Sequence, residues 1–146
     1  MSESVEQFLS AQEEQEIVAA IREAERMTSG EIRVHLEEHC QGDLMVRTKE
    51  VFHWLKMDQT KEENGVLIYV ATADHKFAIY GDQGIHEKVT DTFWNTTKDK
   101  IQTQFRQGNF KQGLVEGVLS AGKELQHYFP WDHTDTNELS DDISKS

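Results

Sequence analysis

The chain has 146 residues, which suits one domain with a single hydrophobic core. It carries 27 acidic residues against 15 basic ones, for a formal net charge of −12. This charge repels phosphate backbones and anionic lipid headgroups, so it argues against a nucleic-acid-binding or membrane-surface protein.

The cysteine content and the lengths of the apolar runs exclude further classes of protein. The single cysteine, Cys40, rules out an internal disulfide, and no Cys/His spacing predicts a zinc site. The first residues, MSESVEQFLSAQEEQ, have neither the basic patch nor the apolar centre of a signal peptide. No apolar run approaches the ~18–20 residues that cross a bilayer. We therefore expect a cytoplasmic monomer that does not insert into membranes.

The first half of the chain predicts a helix, a strand and a second helix. Residues 10–13, Ser-Ala-Gln-Glu, form a capping box that begins the first helix, and Ser29-Gly30 ends it. Apolar and polar residues alternate over 31–37, which predicts a half-buried strand. Apolar residues at helical spacing over 44–57 predict the second helix.

The second half predicts two strands and two helices. The apolar run VLIYVA, residues 66–71, is typical of a central strand covered on both faces. A hairpin turn leads from it into a strand over 76–80. Apolar spacing predicts one helix from 85 to 105 and another from 114 to 125. The aromatic residues Trp54 and Trp94 are predicted to lie in the core.

The order of elements predicts an α/β protein, a three-layer αβα sandwich with a small mixed sheet. The first two strands are joined by a helical crossover, so they are expected to be parallel, and the third strand is expected to be antiparallel. The domain is predicted to span residues 10–130, after an N-terminal extension at 1–9. Residues 131–146 are acidic and polar, and we expect a disordered tail there.

This topology predicts that acidic residues converge at one end of the sheet. Glu31 and the segment 62–64 start the two parallel strands, Asp82 follows the antiparallel strand, and Asp91 lies on the next helix. Carboxylate and carbonyl oxygens are the ligands that calcium and magnesium take in proteins. Each residue also has a structural interpretation: Asp82 is placed to cap a helix, and Glu31 and Asp91 to be solvated surface acids.

A phosphate cradle is the competing interpretation of the glycine-rich turn at residues 81–84. The turn, Gly-Asp-Gln-Gly, lacks the lysine and the Ser/Thr of a P-loop, and its acidic neighbours would oppose a phosphate without a metal between them. Cys40 and His39 are adjacent, which is not the arrangement of a catalytic dyad, and a structural thiol is the favoured interpretation.

Three stretches together resemble the TPM domain family, which includes a thylakoid-lumen acid phosphatase, photosystem II repair factors and a nematode receptor modulator. They are TSGEIRVHLEE, KEENGVLIYVATADHKFAIYGDQGI and FRQGNFKQGLVEGV. The resemblance covers roughly residues 8 to 130. It implies an αβα sandwich, and in some members an acidic groove near the strand-to-helix turn that binds a divalent cation, chiefly calcium.

Carried onto this chain, the resemblance implies metal ligands at Asp82 and Asp91, with Glu31 as a neighbour. Our first hypothesis is a TPM domain that binds a divalent cation through Glu31, Asp82 and Asp91, with calcium favoured over magnesium. The cation would organise one end of the sheet for a partner protein. The alternative is a metal-assisted phosphatase in which the ion polarises a phosphoryl oxygen and activates water.

Overall fold

A four-stranded sheet in the order β3–β2–β1–β4 forms the middle layer of the computed structural model, which describes residues 5–131 and 141–146. The strands are β1 Glu31–Glu37, β2 Gly65–Ala71, β3 Lys76–Gly81 and β4 Ser144–Lys145. β1 and β2 are parallel and β2 and β3 are antiparallel, which confirms the predicted pairings. β4 is an addition that the sequence did not predict, and it lies parallel to the free side of β1.

Six α-helices and one short 3-10 helix, Met57–Gln59, are found in the described part of the chain. The α-helices are α1 Val5–Phe8, α2 Ala11–Ala24, α3 Leu44–Trp54, α4 Gln83–His86, α5 Asn95–Arg106 and α6 Phe110–Leu125. The predicted capping box is present: Ser10 Oγ accepts from the backbone N–H of Glu13, and the Glu13 carboxylate accepts from the backbone N–H of Ser10. Asp43 caps α3 with a single bond, in which its Oδ1 accepts from Val46 N–H. None of the described helices is long and apolar enough to cross a membrane.

Helices cover both faces of the sheet, and successive side chains of each strand point to opposite faces. Alternate residues of β1 and β2, such as Val34 and Ile68, pack on one face against α2, α5 and α6. The intervening residues, such as Leu67 and Tyr69, pack on the other face against Phe52 of α3. Burial of every side chain of β2 explains its continuous apolar sequence. The predicted three-layer αβα sandwich is confirmed.

The predicted single helix over 85–105 is wrong. α4 ends at His86 and α5 begins at Asn95, with turns between them. The side chains of Ile85 and Trp94 both lie against Gly81. A Cβ atom on Gly81 would be 3.1 Å from Ile85 and 3.4 Å from Trp94. A continuous helix would separate these two residues by about 13 Å along its axis, so the chain must fold back between them.

The prediction of a disordered tail over 131–146 is wrong for residues 141–146, while residues 132–140 lie outside the described residues. Ile143 packs against the core, and Ser146 N–H donates to the carbonyl of Leu36 at 3.0 Å. The acidic composition suggested disorder, but pairing with the edge of β1 supplies backbone partners that composition does not reveal.

The predicted core position of Trp54 is also wrong, because its exposed fraction is 64%. α3 turns Val51 and Phe52 toward the sheet, and Trp54 comes two residues later on another side of the helix. Trp94 is buried as predicted.

Candidate functional site

Asp82 lies where β3 ends and α4 begins, and the structure confirms its predicted capping role. Its backbone N–H donates to the carbonyl of Gly65 at 2.9 Å, which ties it to the start of β2. Its Oδ1 accepts from Gln83 N–H at 2.8 Å. The residue is only 7% exposed, and its second oxygen, Oδ2, is buried with no hydrogen-bond partner among the described residues. Capping therefore occupies half of this carboxylate and leaves the other half available to a ligand.

The loop before β2 packs directly against this turn. Gly84 N–H donates to the carbonyl of Glu63 at 2.9 Å. A Cβ atom on Gly84 would lie 2.3 Å from the carbonyl oxygen of Glu62 and 2.6 Å from that of Glu63, so a side chain does not fit there. Glu63 itself has φ of +50°, a left-handed conformation that is uncommon outside glycine. The turn and the loop form one close-packed corner, at the sheet end that the sequence predicted.

Asn64 supplies a second buried oxygen at this corner. Its Nδ2 donates to Ser29 Oγ and to Glu62 Oε2, both at 3.2 Å, and Ser29 Oγ donates to the same Glu62 oxygen at 2.6 Å. Asn64 is 1% exposed, and its Oδ1 has no hydrogen-bond partner in the described residues. The side-chain amide is therefore fixed through its nitrogen, and its oxygen remains available as a neutral ligand.

Glu31 begins β1 beside this corner, and its carboxyl group interacts with that of Glu25. Its backbone N–H donates to the carbonyl of Asn64 at 3.4 Å, and it is 3% exposed. It lies two strands from Asp82, a backbone separation of about 10 Å. Burial raises the pKa of Glu25 to about 10, and a hydrogen bond with Asp141 and the charge of Glu31 add to the shift.

Asp91 lies in the turns between α4 and α5, and it is exposed. Its predicted place on a helix is wrong, because the chain folds back between Ile85 and Trp94 so that both can contact Gly81. Over residues 5–131 and 141–146, no three His, Cys, Asp or Glu side chains are grouped so as to hold a metal ion. The structure therefore places Asp82 with the 62–64 loop but does not group it with Glu31, two strands away, or with Asp91, in the turns after α4.

The opposite end of the sheet holds a polar cluster that the sequence interpretation missed. Glu37 accepts from the guanidinium of Arg47 at 2.8 and 2.5 Å, from the Tyr69 hydroxyl at 2.5 Å and from Ser146 Oγ at 2.6 Å. The hydrogen bonds from Arg47 lower the pKa of Glu37 to about 2. Burial raises the pKa of Tyr69, and its hydrogen bond to Glu37 adds to the shift.

His35 lies under the same cluster and is completely buried. Its Nδ1 is 2.7 Å from Ser144 Oγ and its Nε2 is 2.8 Å from Ser146 Oγ, and its ring stacks on Tyr69 with centroids 6.0 Å apart. Burial lowers the pKa of His35 to about 4. Strand alternation alone places His35 and Glu37 on one face, but it does not reveal that Ser144 and Ser146 of the unpredicted C-terminal segment contact both nitrogens of the His35 ring.

The fold and the corner around Asp82 together define a small αβα domain in which two buried side-chain oxygens at one end of the sheet, Asp82 Oδ2 and Asn64 Oδ1, have no hydrogen-bond partner among the described residues. The sequence profile of the TPM domain matches residues 4–124. The chain therefore belongs to the TPM domain family. A comparison with curated proteins gave no match.

Solved structures agree with this assignment. The chain is similar to the BA42 protein from the psychrophilic bacterium Bizionia argentinensis, which has an NMR structure. The two sequences are 58% identical, and the structures align with a TM-score of 0.92 over 98% of this chain and 99% of that chain. The N-terminal domain of the cg2496 protein from Corynebacterium glutamicum is 14% identical, with a TM-score of 0.64 over 94% of this chain and 81% of that chain. The N-terminal domain of a P. gingivalis protein is 22% identical, with a TM-score of 0.66 over 86% and 83%. The last two show the fold alone.

Proposed function

We propose that this TPM domain binds a divalent cation, calcium in preference to magnesium, at the corner formed by Asp82 and residues 62–64. The buried Oδ2 of Asp82, which has no hydrogen-bond partner among the described residues, is the observation that carries the proposal. A buried carboxylate oxygen without a compensating partner is costly, and a bound cation would offset that cost. The proposed role of the ion is to order this end of the sheet for a partner protein.

The chemistry of the available ligands favours calcium. Asp82 offers a charged oxygen, Asn64 offers a neutral amide oxygen, and both atoms are buried on segments that pack together. Calcium takes six to eight such oxygens in flexible geometry, whereas magnesium demands a small octahedral site and gives up water reluctantly. A corner built from a loop and a turn suits calcium, because calcium accepts a less regular arrangement of oxygens than magnesium does.

The sequence predicted Glu31, Asp82 and Asp91 as the ligand set, and that set is retained as the proposal. Asp82 is the member that the geometry supports directly. Asp91 is exposed on the segment that follows α4, and Glu31 is on the neighbouring strand beside Asn64. In the proposed shell these two acids add carboxylate oxygens to that of Asp82.

The experiment compares two N-capping aspartates at different places in the fold. Asp82→Asn removes the charge and keeps a side chain that caps helices well. Asp43→Asn makes the same change at the cap of α3, where Asp43 Oδ1 accepts from Val46 N–H at 2.9 Å. Calcium should raise the melting temperature of the parent and of Asp43→Asn, but not of Asp82→Asn. An ion at ~100 times its dissociation constant adds roughly 2.7 kcal/mol to the free energy of unfolding.

Sodium chloride at matched ionic strength controls for general screening in a chain of charge −12. An equal gain from sodium, or a calcium response in Asp82→Asn equal to that of the parent, would refute the site. Glu31→Gln and Asp91→Asn test the two remaining ligands by amide NMR titration, and an affinity equal to the parent's would remove that residue from the set. Hydrolysis of a phosphomonoester by the parent that disappears in Asp82→Asn would favour the phosphatase alternative instead.

A further inference from the structure

A cavity lies at the start of β3, at the end of the sheet opposite to Asp82. Its volume is about 470 Å³, and it is lined by the first residue of α3, the first residues of β3 and the last turns of α5. β3 is an edge strand, and α3 and α5 flank it on opposite faces of the sheet. Leu44 packs with the core on the α3 side, whereas Phe77 and Phe105 pack with the core on the other side. The cavity is therefore a gap between two helical layers, and its volume is typical of small-molecule sites.

Aromatic rings form the apolar wall of this cavity, and packing against α6 fixes them. The rings of Phe77 and Phe105 meet edge to face with centroids 5.5 Å apart, and Phe105 meets Phe110 in the same way at 5.2 Å. Phe105 is only 8% exposed, and it packs on Gly113, where a Cβ atom would come within 2.8 Å of its ring. The wall is therefore in place before a ligand arrives, which lowers the ordering cost of binding.

Two cations line the same cavity and have no acidic partner inside the domain. Lys76 and Arg106 make no side-chain hydrogen bond or ion pair within the described part of the chain. The acid closest to Lys76 in the sequence is Asp74. Its two oxygens are taken by His39 Nδ1 and by the Cys40 N–H, both at 3.2 Å. Both positive charges are therefore left to attract an anion from outside the domain.

The charge of this lining is opposite to that of the chain as a whole. The protein has a formal net charge of −12, and the grooves beside α2 and beside Glu37 each include glutamates in their linings. The cavity at β3 is lined by Lys76, Arg106 and His75 and by no acid. A local group of cations in a concave site attracts anions and repels other cations. The cavity is therefore selective for negative charge on a surface that otherwise repels it.

An aromatic wall beside two cations matches an anion that carries an aromatic body. A guanidinium donates two parallel N–H bonds to a carboxylate, a lysine adds a point charge, and aromatic rings pack edge to face. We propose that this cavity binds a small aromatic monocarboxylate, with the carboxylate held by Lys76 and Arg106 and the ring packed against Phe77 and Phe105. The site lies at the opposite end of the sheet from Asp82, so it does not depend on the proposed cation site.

The test titrates the full-length protein with sodium 3-phenylpropionate and follows the backbone amides by NMR at constant ionic strength. The amides of Phe77, Phe105 and Arg106 should shift and saturate with a dissociation constant of roughly 1 mM, which is the affinity expected of a ligand of this size. Two further probes separate the contributions of ring and charge. 3-Phenylpropylamine carries the same ring on a cation, and acetate carries the same charge without the ring. Each should bind about tenfold more weakly than 3-phenylpropionate.

Charge-removing variants place the carboxylate. Lys76→Gln and Arg106→Gln change exposed side chains, so the fold should stay intact and amides far from the cavity should keep their shifts. Each variant should weaken 3-phenylpropionate about fivefold. Lys100→Gln is the matched control, because Lys100 is an exposed lysine of α5 that does not line the cavity. Its affinity for the probe should stay within about twofold of the parent's.

Four results would overturn the proposal. The first is the absence of a saturable shift at the cavity amides. The second is equal binding of 3-phenylpropylamine, which would show that the cations do not select the ligand. The third is equal binding of acetate, which would show an anion contact without a site for the ring. The fourth is an equal loss of affinity in Lys100→Gln and Arg106→Gln, which would show attraction to general surface charge.

Discussion

The two ends of the central sheet each hold a carboxylate that is largely shielded from water, and the two differ in their hydrogen bonds. At the end of β1, Glu37 is surrounded by donors from Arg47, Tyr69 and Ser146. At the start of β2, the buried Oδ2 of Asp82 and Oδ1 of Asn64 have no partner among residues 5–131 and 141–146. An acid that is fully hydrogen-bonded stabilises the fold, whereas a buried acid that is half satisfied calls for an explanation, and the one proposed above is a bound cation.

Hydrogen-bond partners distinguish Asp82 from Glu37 better than burial or charge does. Asp82 and Glu37 are both largely shielded from water, and both belong to a strongly acidic chain. The free energy that each contributes depends on its partners, because an unpaired buried oxygen costs stability and a charge-assisted hydrogen bond adds it. Removing the charge should therefore have opposite effects on stability at the two ends of the sheet.

The largest effect is expected when Glu37 is removed. Glu37→Ala leaves the Arg47 guanidinium and the Tyr69 hydroxyl without their acceptor, and we expect a loss of about 3 kcal/mol in the free energy of unfolding. Urea denaturation measures it. Glu50→Ala is the control, because Glu50 also approaches Arg47, at 3.9 Å, but its side chain is 62% exposed. The control should change stability by less than about 0.5 kcal/mol, and equal losses in the two variants would contradict the assignment.

Glu37 also makes the free energy of unfolding depend on pH. The hydrogen bonds from Arg47 lower the pKa of Glu37 from 4.5 to about 2, so the folded state binds its proton less readily than the unfolded state does. The stabilisation is complete above the unfolded pKa and is lost as the pH falls through this window. Between pH 4.5 and 2, unfolding free energies should fall more steeply for the parent than for Glu37→Gln.

A smaller loss is expected at the other end of the sheet, from packing and not from charge. In Gly84→Ala the new Cβ would lie 2.3 Å from the carbonyl oxygen of Glu62, so the loop at 62–63 must move. Overpacking against backbone costs about 2 kcal/mol. Thermal unfolding without added metal measures it, with the exposed neighbour Gln83→Ala as the control. A stability equal to the parent's would show that the corner is less close-packed than described.

The sequence predicted the fold well because its signals are local. Strand alternation, the apolar run of β2 and the capping box at Ser10 each depend on residues close together in the chain. The placement of Asp82 at a strand-to-helix turn is of the same kind. The break between α4 and α5 was missed because it depends on Ile85 and Trp94 meeting at Gly81, which is a tertiary contact.

The candidate site was predicted only in part, for a similar reason. Topology places Glu31 and Asp82 at one end of the sheet, but it does not reveal that the Glu31 carboxyl interacts with Glu25. The cluster around His35 depends on Ser144 and Ser146, which return to β1 from more than a hundred residues away. Neither spacing nor composition reports such a contact, and an acidic composition pointed instead to disorder.

The smallest effect, and the one with the opposite sign, is expected for Asp82→Asn in the absence of metal. Asparagine caps a helix about as well as aspartate, so the hydrogen bond from Gln83 N–H is kept. The buried charge is removed, which relieves the cost of the unpaired Oδ2 oxygen. We expect the free energy of unfolding to rise by up to about 1 kcal/mol, measured by urea denaturation in a chelator. Asp43→Asn makes the same change in net charge and should leave stability within about 0.5 kcal/mol of the parent, because Asp43 is exposed and its charge is not buried. Calcium should then reverse the order, since only the parent carboxylate binds it. A chelator-treated Asp82→Asn protein that is less stable than the parent by 1 kcal/mol would show that the Asp82 carboxylate stabilises the fold as Glu37 does, and the contrast between the two ends would fail.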